Sequence, residues 1–384
     1  MAMDIIFFEG FDYFRTEDLD PHYWSTSGAL SFNGDTVNIS NRPWTSDLSA
    51  NTTLTLHNFT QPFTAHSGVG IGVELLSSNN HTAIFTPVAG YETSPIGENL
   101  ISFYNNAGKE LRIDIEPTTR SGSGSMGFAV YEDNILLDIY DINNYAMHSW
   151  SMIDTGQVRQ LISSTNRVYL EIYIDNQQLS IRLSASESLE VPLLNNSASG
   201  IFISTNAPIS NLSSIKFYGS HNASVYGGER RLDNLYLTAS DSEVEAFLGS
   251  NTRIVKLDQY GFNYIAQMDW KSNNYLNHNY IYSSGINDIV LWNADDTYED
   301  GTVGGIRMRQ TLRKSFPSND ADCTNVMTSG AGGPIINIGD IYNINSVDYT
   351  TKSSFAFINP VTSSPWTIQE LNDMQIGIKN LGPQ

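Results

Sequence analysis

The amino-acid sequence predicts an all-β protein: a β-sandwich followed by a smaller β-rich domain with one short helix near its end. Apolar residues alternate with polar residues or glycine along many short segments, which is the period of a strand with one buried face. Helical periodicity is almost absent, and turn-forming residues separate the segments at the spacing expected of a sandwich. Because 384 residues exceed one ordinary core, we expect two domains, residues 1–240 and 250–384.

Two segments near the ends of the first domain, 7–14 and 231–237, are expected to be its first and last strands, brought together by the fold. Between them, alternation predicts further strands and one clear hairpin. The hairpin turn contains Asp175 and Asn176, residue types that accept the positive φ of a tight turn. The predicted strands are 69–75, 111–116, the hairpin pair 168–174 and 179–183, and a further pair, 200–204 with 214–219.

The second domain is expected to begin after a short break at residues 241–249. From residue 251 onward the sequence has longer, irregular stretches rich in aromatic residues. The glycine cluster at 329–333 predicts a close-packed turn rather than a phosphate-binding loop, because it lacks the Gly-Lys-Ser ending of such loops. Residues 355–358 predict a strand.

One helix start is convincing, at Thr367. Glu370 stands three residues later, which is the spacing of a capping box, and Trp366 precedes the cap as a hydrophobic staple. We expect Gly377 to stop this helix and residues 376–379 to form a closing strand.

The surface is expected to be strongly acidic. The chain has 20 Lys and Arg against 41 Asp and Glu, a net charge of −21 at pH 7. Such a charge repels nucleic acid and anionic lipid, so we expect neither a nucleic-acid nor a membrane partner. No apolar run approaches the roughly 18 residues of a membrane span, and residues 1–9 lack the basic region of a signal peptide. The lone cysteine, Cys323, excludes an intrachain disulfide and is expected to be an inert, buried thiol.

Four short motifs follow one another along the chain and together resemble a known group. They are Phe-Glu-Gly-Phe-Asp-Tyr at 8–13, Leu-Asp-Asn-Leu-Tyr-Leu at 232–237, a connector at 247–254, and the Trp-Thr to Gly-Ile-Lys segment at 366–379. In this order they resemble the bacteriophage virion structural proteins that carry a concanavalin A-like, or laminin G-like, jelly-roll domain at their N-terminus. The resemblance covers most of the chain.

The resemblance implies a concanavalin A-like jelly-roll sandwich in residues 1–240 and an assembly domain in residues 250–384. It also implies a location in the virion, in the tail, its fibres or the capsid surface, and it leaves the choice among these open. The expected partners are other virion proteins and a host surface glycan.

The second domain is expected to hold a homo-oligomer together, with a trimer favoured. Aromatic residues and glycine are frequent in residues 250–384, and charged residues are sparse around 275–289, a composition typical of an interface core. Resembling virion proteins are built from several copies, and closed symmetry is the usual arrangement for identical chains. The alternative is that these aromatic side chains pack inside a compact second domain.

The strongest indication of an enzyme is the strand at 111–116. Jelly-roll glucanases carry three carboxylates at alternate positions of one strand, which places them together in a cleft. Asp114 and Glu116 match two of those positions, but Arg112 occupies the position of the nucleophile, and an arginine cannot attack an anomeric carbon. We therefore predict no catalytic residues and an ordinary strand with these charges on its wet face. The alternative is a free lectin or a carbohydrate-active enzyme similar to glycoside hydrolases.

The remaining candidate sites are aromatic or acidic. Tryptophan rings suit stacking on carbohydrate or a protein partner, with core packing as the alternative, and the candidates are Trp24, Trp44, Trp150, Trp270 and Trp292. Two acidic segments, interpreted as loops, offer oxygen ligands to calcium through Asp138, Asp141, Asp295, Asp296 and Asp300. Neither segment has EF-hand spacing, and solvated acidic turns are the alternative. We expect no cofactor, and calcium is the metal to test.

Overall fold

The structure is a computed structural model, and its two compact units comprise residues 1–16 with 22–254, and 17–21 with 255–384. It describes residues 4–11, 19–28, 30–32, 36–39, 52–59, 68–76, 98–117, 126–141, 167–175, 178–185, 201–202, 212–219, 230–240, 246–248, 252, 254, 257, 259–264, 268–273, 278–283, 286–294, 296–297, 301–314, 321–330 and 332–382. The described sheets are all antiparallel, which confirms the predicted all-β class.

The first unit is a jelly-roll sandwich of two sheets. Its strands are β1 (Asp4–Glu9), β2 (Trp24–Ser27), β3 (Ser31–Phe32), β4 (Val37–Asn38), β5 (Thr53–His57), β6 (Gly68–Leu76), β7 (Glu98–Asn105), β8 (Glu110–Pro117), β9 (Met126–Glu132), β10 (Ile135–Asp141), β11 (Arg167–Asp175), β12 (Gln178–Ala185), β13 (Ile201–Phe202), β14 (Leu212–Tyr218) and β15 (Arg231–Ser240). The eight-stranded sheet has the order β13-β12-β11-β6-β15-β4-β3, with β1 also paired to β15. The seven-stranded sheet has the order β10-β9-β8-β7-β14-β5-β2.

The hydrophobic core of the sandwich lies between these two sheets. Alternation along β6 directs Ile71 and Val73 inward, where both are buried. Phe7 of β1 and Trp24 of β2 bring the sheets into contact, with ring centroids 5.9 Å apart. The first and last strands of the unit pair directly, with Phe8 opposite the buried Tyr236, which confirms that the fold brings the two end segments together.

One predicted hairpin is confirmed and one predicted strand pair is wrong. Strands β11 and β12 pair from Val168 opposite Ala185 to Ile174 opposite Leu179, as the turn residues indicated. By contrast, the two strands that overlap the predicted pair 200–204 and 214–219 belong to different sheets. Strand β13 pairs with β12, whereas β14 lies between β7 and β5. Local alternation identifies a strand but carries no information about its partner, so proximity in sequence was a poor guide.

The second unit contains smaller sheets and one helix with described bounds. Its elements are β16 (Gln259–Tyr264), β17 (Met268–Asn273), β18 (His278–Ser283), β19 (Ile289–Ala294), β20 (Ile306–Leu312), β21 (Ala321–Thr328), β22 (Ile336–Ile344), β23 (Thr350–Ala356), α1 (Ile368–Asp373) and β24 (Gln375–Gly382). A five-stranded sheet runs β16-β19-β24-β21-β22, and β17-β18 and β20-β23 form two-stranded sheets. Among the described residues, no helix has the length and apolar character needed to cross a membrane.

The predicted capping box at the start of α1 is confirmed. The Thr367 hydroxyl accepts a hydrogen bond from the Glu370 backbone N–H at 3.2 Å, and the Glu370 carboxylate accepts one from the Thr367 N–H at 2.9 Å. Trp366 is buried in the same hydrophobic cluster as Leu371, the arrangement of a hydrophobic staple. Its indole N–H donates to the carbonyl of Ala356 at 2.8 Å. The helix ends at Asp373 with Met374 as its C-cap, so the expectation that Gly377 stops it is wrong. Strand β24 begins at Gln375 and contains Gly377, which confirms the predicted closing strand.

Candidate binding face

The outer face of the seven-stranded sheet carries a line of polar and aromatic side chains that we call the polar row. The strand registers place one residue from each of six neighbouring strands in this line: Ser25, Thr55, Lys216, Ser102, Arg112 and Tyr131. Directly paired residues of neighbouring strands point to the same face of a sheet. Because Leu111 and Ile113, on either side of Arg112 in β8, are buried in the core, the row lies on the opposite face.

Two turns with positive-φ residues hold the strands of this face in register. Asn105, at the end of β7, accepts backbone hydrogen bonds from the turn that leads into β8, and Gly108 in that turn has a φ of +77°. Between β9 and β10, Asp133 and Asn134 have φ values of +46° and +68°, a conformation that Asp and Asn tolerate in tight hairpins. Asp133 also accepts a hydrogen bond from the backbone N–H of Glu110 at 3.0 Å, which ties the two turns together.

Arg112 is the centre of a charged network on β8. Its Nε lies 3.0 and 2.9 Å from the two carboxylate oxygens of Asp114, and its Nη1 donates to Glu110 at 3.3 Å and to Asn134 at 2.7 Å. The guanidinium also lies over the Tyr131 ring, 4.8 Å from the centroid. Burial lowers the pKa of Arg112, but the neighbouring Asp114 and Glu110 more than compensate, so the pKa is raised overall. Arg112 therefore stays positively charged and holds both carboxylates.

The network continues into three hydroxyl groups on β7 and β14. Glu110 accepts hydrogen bonds from Ser102 at 2.8 Å and from Tyr104 at 2.5 Å. The Tyr218 hydroxyl lies 3.1 Å from the Ser102 hydroxyl and 3.2 Å from the Tyr104 hydroxyl. Burial, followed by the hydrogen bonds to Glu110 and Tyr218, raises the pKa of Tyr104 far above its ordinary value. The Tyr104 ring is therefore held as a neutral phenol in a fixed position.

A lysine and a histidine complete the face. The Lys216 ammonium lies 4.9 Å from the centroid of the Tyr104 ring and 5.8 Å from that of Tyr218, within the range of cation–π attraction. His57, on the neighbouring strand β5, has its Nε2 atom 2.6 Å from the Ser25 hydroxyl. Burial, and then the charge of Lys216, lower the pKa of His57 below its ordinary 6.5. His57 is therefore neutral at pH 7.

The face differs from the wet strand surface that the sequence indicated at 111–116. Asp114 is only 4% exposed and is bonded to Arg112 on its own strand, so the charged side is enclosed rather than freely solvated. The side chain of Glu116 lies outside the described residues. The arginine at the position of a nucleophile is thus bonded directly to one of the two carboxylates that matched the glucanase pattern.

The structure corrects one tryptophan prediction and leaves the others as predictions. Trp24 is buried, and its indole N–H donates to Glu9 at 3.2 Å, so this ring packs in the core and is not a surface binding residue. Trp292 lies half-buried in β19 beside a cluster of Val290 and Ile378. Trp270 is a residue of β17, opposite Ile281 of β18. Trp44 and Trp150 lie outside the described residues.

The acidic segments provide no metal site in the described part of the chain. Asp138 and Asp141 belong to strand β10, so the interpretation of their segment as a loop is wrong for these two positions. The backbone of this segment pairs with β9, from Ile135 opposite Glu132 to Asp141 opposite Gly127. Asp296 is exposed, and Asp295 and Asp300 lie outside the described residues. Among the residues that the structure describes, no three His, Cys, Asp or Glu side chains are grouped to hold a metal ion.

Sequence reasoning found Arg112 and Asp114 but missed Tyr104, Lys216 and Tyr218. The signal was present, because Ser102 and Tyr104 in β7 alternate with buried residues, as do Lys216 and Tyr218 in β14. What the sequence did not show is that β14 pairs with β7, on the side of β7 opposite β8.

Comparison with known proteins gives structural likeness alone. No protein-family model matches the sequence, and no curated protein matches it. The chain is similar to the CBM2 module of the evolved Dit of Lactobacillus casei BL23 phage J-1, at 9% identity and a TM-score of 0.38, over 63% of this chain and 98% of that one.

Two further solved structures show likeness at the same level. A lectin from Bauhinia forficata in complex with GalNAc matches at 8% identity and a TM-score of 0.35, over 62% of this chain and 99% of that one. SCLam, a non-specific endo-β-1,3(4)-glucanase from family GH16, matches at 8% identity and a TM-score of 0.32, over 62% and 92%. The names of these three proteins describe a carbohydrate-binding module, a lectin and an endoglucanase. A likeness of this level carries no argument about ligand or activity.

Proposed function

We propose that this protein is a bacteriophage virion structural protein, of the tail or the particle surface, that binds a host surface glycan without cleaving it. The virion assignment is supported by the four sequence motifs that occur in order between residues 8 and 379. The glycan-binding assignment is carried by one observation: the hydrogen-bonded network of Arg112, Glu110, Tyr104 and Tyr218 across the outer face of the seven-stranded sheet.

The composition of this face suits a sugar. Sugars present hydroxyl groups that pair with charged and hydroxyl side chains, and apolar ring faces that pack on aromatic rings. The face offers both kinds of contact, because Tyr104 and Tyr131 are half-buried beside the charged groups. The network bonds hold these rings in place before a ligand arrives, which reduces the entropy lost on binding.

The same network argues against hydrolysis. A glycosidase needs one carboxyl group as a proton donor and a second as a nucleophile or base. Here Asp114 and Glu110 are both bonded to the Arg112 guanidinium, and Arg112 itself fills the nucleophile position of the glucanase pattern. A carbohydrate-active enzyme is the competing function.

Binding is tested by titrating the full-length protein with oligosaccharides released from host cell-wall preparations. We expect Tyr104→Ala to weaken binding about tenfold or more, the effect of removing a well-packed aromatic contact. The matched control is Tyr349→Ala, because Tyr349 is also a tyrosine with a cation over its ring, Arg313 at 4.6 Å, but lies in the second unit. Equal binding by wild type and both variants would place the ligand elsewhere.

Hydrolysis is tested by incubating the protein with β-glucans, agars and host capsular polysaccharide. We expect no release of reducing ends. Release that disappears in a Glu116→Gln variant would contradict the proposal and establish the enzymatic alternative.

We also propose that the chain assembles as a homo-oligomer, with a trimer favoured, through its second unit. Large hydrophobic side chains that are exposed in the second unit support this proposal, since a second copy of the chain would cover them. Of the seven in the described part of the chain, five belong to the second unit: Ile286, Ile341, Val347, Tyr349 and Ile358. Light scattering on the purified full-length protein should give a mass of about three chains. A monomer at micromolar concentration would contradict the proposal.

A further inference from the structure

Lys216 is a half-buried cation in the middle of the polar row. It lies between Thr55 of β5 and Ser102 of β7, and its ammonium faces the rings of Tyr104 and Tyr218. Within the described part of the chain, no carboxylate oxygen comes within 4.0 Å of this ammonium, although the chain carries a net charge of −21. A half-buried lysine with no carboxylate partner among the described residues is the unusual feature of this face.

The contrast with the neighbouring cations is direct. Arg112 is bonded to Asp114 and Glu110, and Lys109, at the turn between β7 and β8, lies 3.9 Å from Asp133. Three carboxylates of this face, those of Glu110, Asp114 and Asp133, are thus bonded to cations other than Lys216. Attraction to aromatic rings compensates a partly desolvated ammonium only in part. The Lys216 ammonium therefore retains the capacity to bind an anion.

Two further polar groups stand beside this cation. His57 is on β5, two residues from Thr55, and its ring is hydrogen-bonded to the Ser25 hydroxyl at 2.6 Å. In the β5–β14 pair His57 lies opposite Ser214 and Thr55 lies opposite Lys216, so Lys216 and His57 are diagonal neighbours on the same face of the sheet. A neutral imidazole that is hydrogen-bonded to a serine hydroxyl has one N–H or O–H group left to donate, so this pair and the ammonium together can bind an oxyanion.

We infer that this part of the face binds the acidic substituent of a glycan, a carboxylate or a phosphate, with the Lys216 ammonium as its counter-ion. The sugar ring then packs beside the half-buried Tyr104, whose position the network fixes. A long polyanion is disfavoured because the acidic surface of the protein repels it. This inference rests on the proposed glycan binding and names the ligand class for the same site.

The test uses the full-length protein and two pairs of probes in ligand-observed NMR titrations. The carboxylate pair is trigalacturonic acid and its methyl ester, and the phosphate pair is glucose 1-phosphate and glucose. We expect the acidic member of at least one pair to bind about ten- to a hundredfold more tightly than its neutral counterpart, the value of a charge-assisted hydrogen bond. The pair that shows the preference identifies the acidic group.

Two variants assign the preference to Lys216. Lys216→Met should abolish the preference for the acidic probe, whereas Lys216→Arg, which keeps the charge, should retain most of it. The matched control is Lys109→Met, which changes the net charge equally but removes a cation that is paired with Asp133 and lies outside the polar row. The comparison of acidic with neutral probes on the wild-type protein needs no variant, so it remains decisive if Lys216→Met fails to fold.

The outcomes separate this inference from the proposed function. Equal binding of acidic and neutral probes, lost in Tyr104→Ala, would overturn the inference and leave glycan binding intact. A preference for the acidic probe that survives Lys216→Met and falls in Lys109→Met would also overturn it. Absence of binding by all four probes and by host cell-wall oligosaccharides would overturn both proposals.

Discussion

The Tyr236 hydroxyl is expected to be a major contributor to the stability of the first unit. Tyr236 belongs to β15, is 1% exposed, and lies over Gly72 of β6, where an added Cβ atom would be 2.1 Å from its ring. Its hydroxyl donates a hydrogen bond to the buried Glu171 at 2.5 Å and accepts one from the Leu248 backbone N–H at 2.9 Å. Burial, followed by the Glu171 charge, raises the pKa of Tyr236 well above its ordinary value, so the hydroxyl remains a donor.

Tyr236→Phe removes these two hydrogen bonds and leaves the ring packing unchanged. A hydrogen bond to a carboxylate contributes about 1.5–3 kcal/mol, and one to a backbone N–H about 0.5–1.5 kcal/mol. We therefore expect the free energy of unfolding to fall by about 2–4.5 kcal/mol. The segment around Leu248 should also become less protected, although Thr238 still donates to the Ala246 carbonyl at 2.6 Å.

The measurement is urea unfolding followed by tryptophan fluorescence, with hydrogen exchange of peptides that contain Leu248. Tyr349→Phe is the control, because Tyr349 is 42% exposed and loses only a solvated hydroxyl. A change below about 0.5 kcal/mol for Tyr236→Phe, with unaltered exchange at Leu248, would show that the two bonds do not carry this stability.

Three further predictions concern the cap, the histidine and metal. Thr367→Ala should lower the free energy of unfolding of the second unit by about 0.5–2 kcal/mol, because the Glu370 backbone N–H loses its side-chain acceptor. The exposed Thr362→Ala should have almost no effect, and equal stabilities of the two variants in denaturant would contradict the capping role. Folding lowers the pKa of His57 below 6.5, so the folded state disfavours the protonated imidazole. The stability of the protein should therefore fall as the pH drops from about 6.5 through the folded-state pKa. His57→Gln should show a smaller loss of melting temperature between about pH 7.5 and 5.5, and identical losses would refute this role for His57. EDTA should leave the melting temperature nearly unchanged, and a large drop reversed by calcium would identify one of the acidic segments as a metal site.

The elements that the sequence determined are those whose signal is local. Alternation with a period of two predicted β6 and β8, the residues Asp175 and Asn176 predicted the β11–β12 hairpin, and the spacing of Thr367 and Glu370 predicted the start of α1. In each case the information lies within a few consecutive residues, because side-chain direction, turn conformation and capping depend on near neighbours in the chain.

Partner choice and burial were decided by the tertiary structure. The sequence suggested that β13 and β14 pair, but they lie in different sheets, and it offered Trp24 as a binding residue, but that ring is in the core. The partner of a strand is decided by contacts with segments that are distant in the sequence. The alternation within the strand itself does not encode these contacts. An amphipathic ring such as that of Trp24 is equally suited to either environment.

The candidate site shows the same division. Sequence alone placed Arg112 and Asp114 on one face of β8, because alternate residues share a face. It could not place Lys216 beside them, because β14 pairs with β7 across more than 100 residues of chain. Tyr104, by contrast, lies in the local β7–β8 hairpin, where it pairs with Glu110. The sequence therefore determined which side chains point away from the core, and the pairing of distant strands decided which of them meet to form a site.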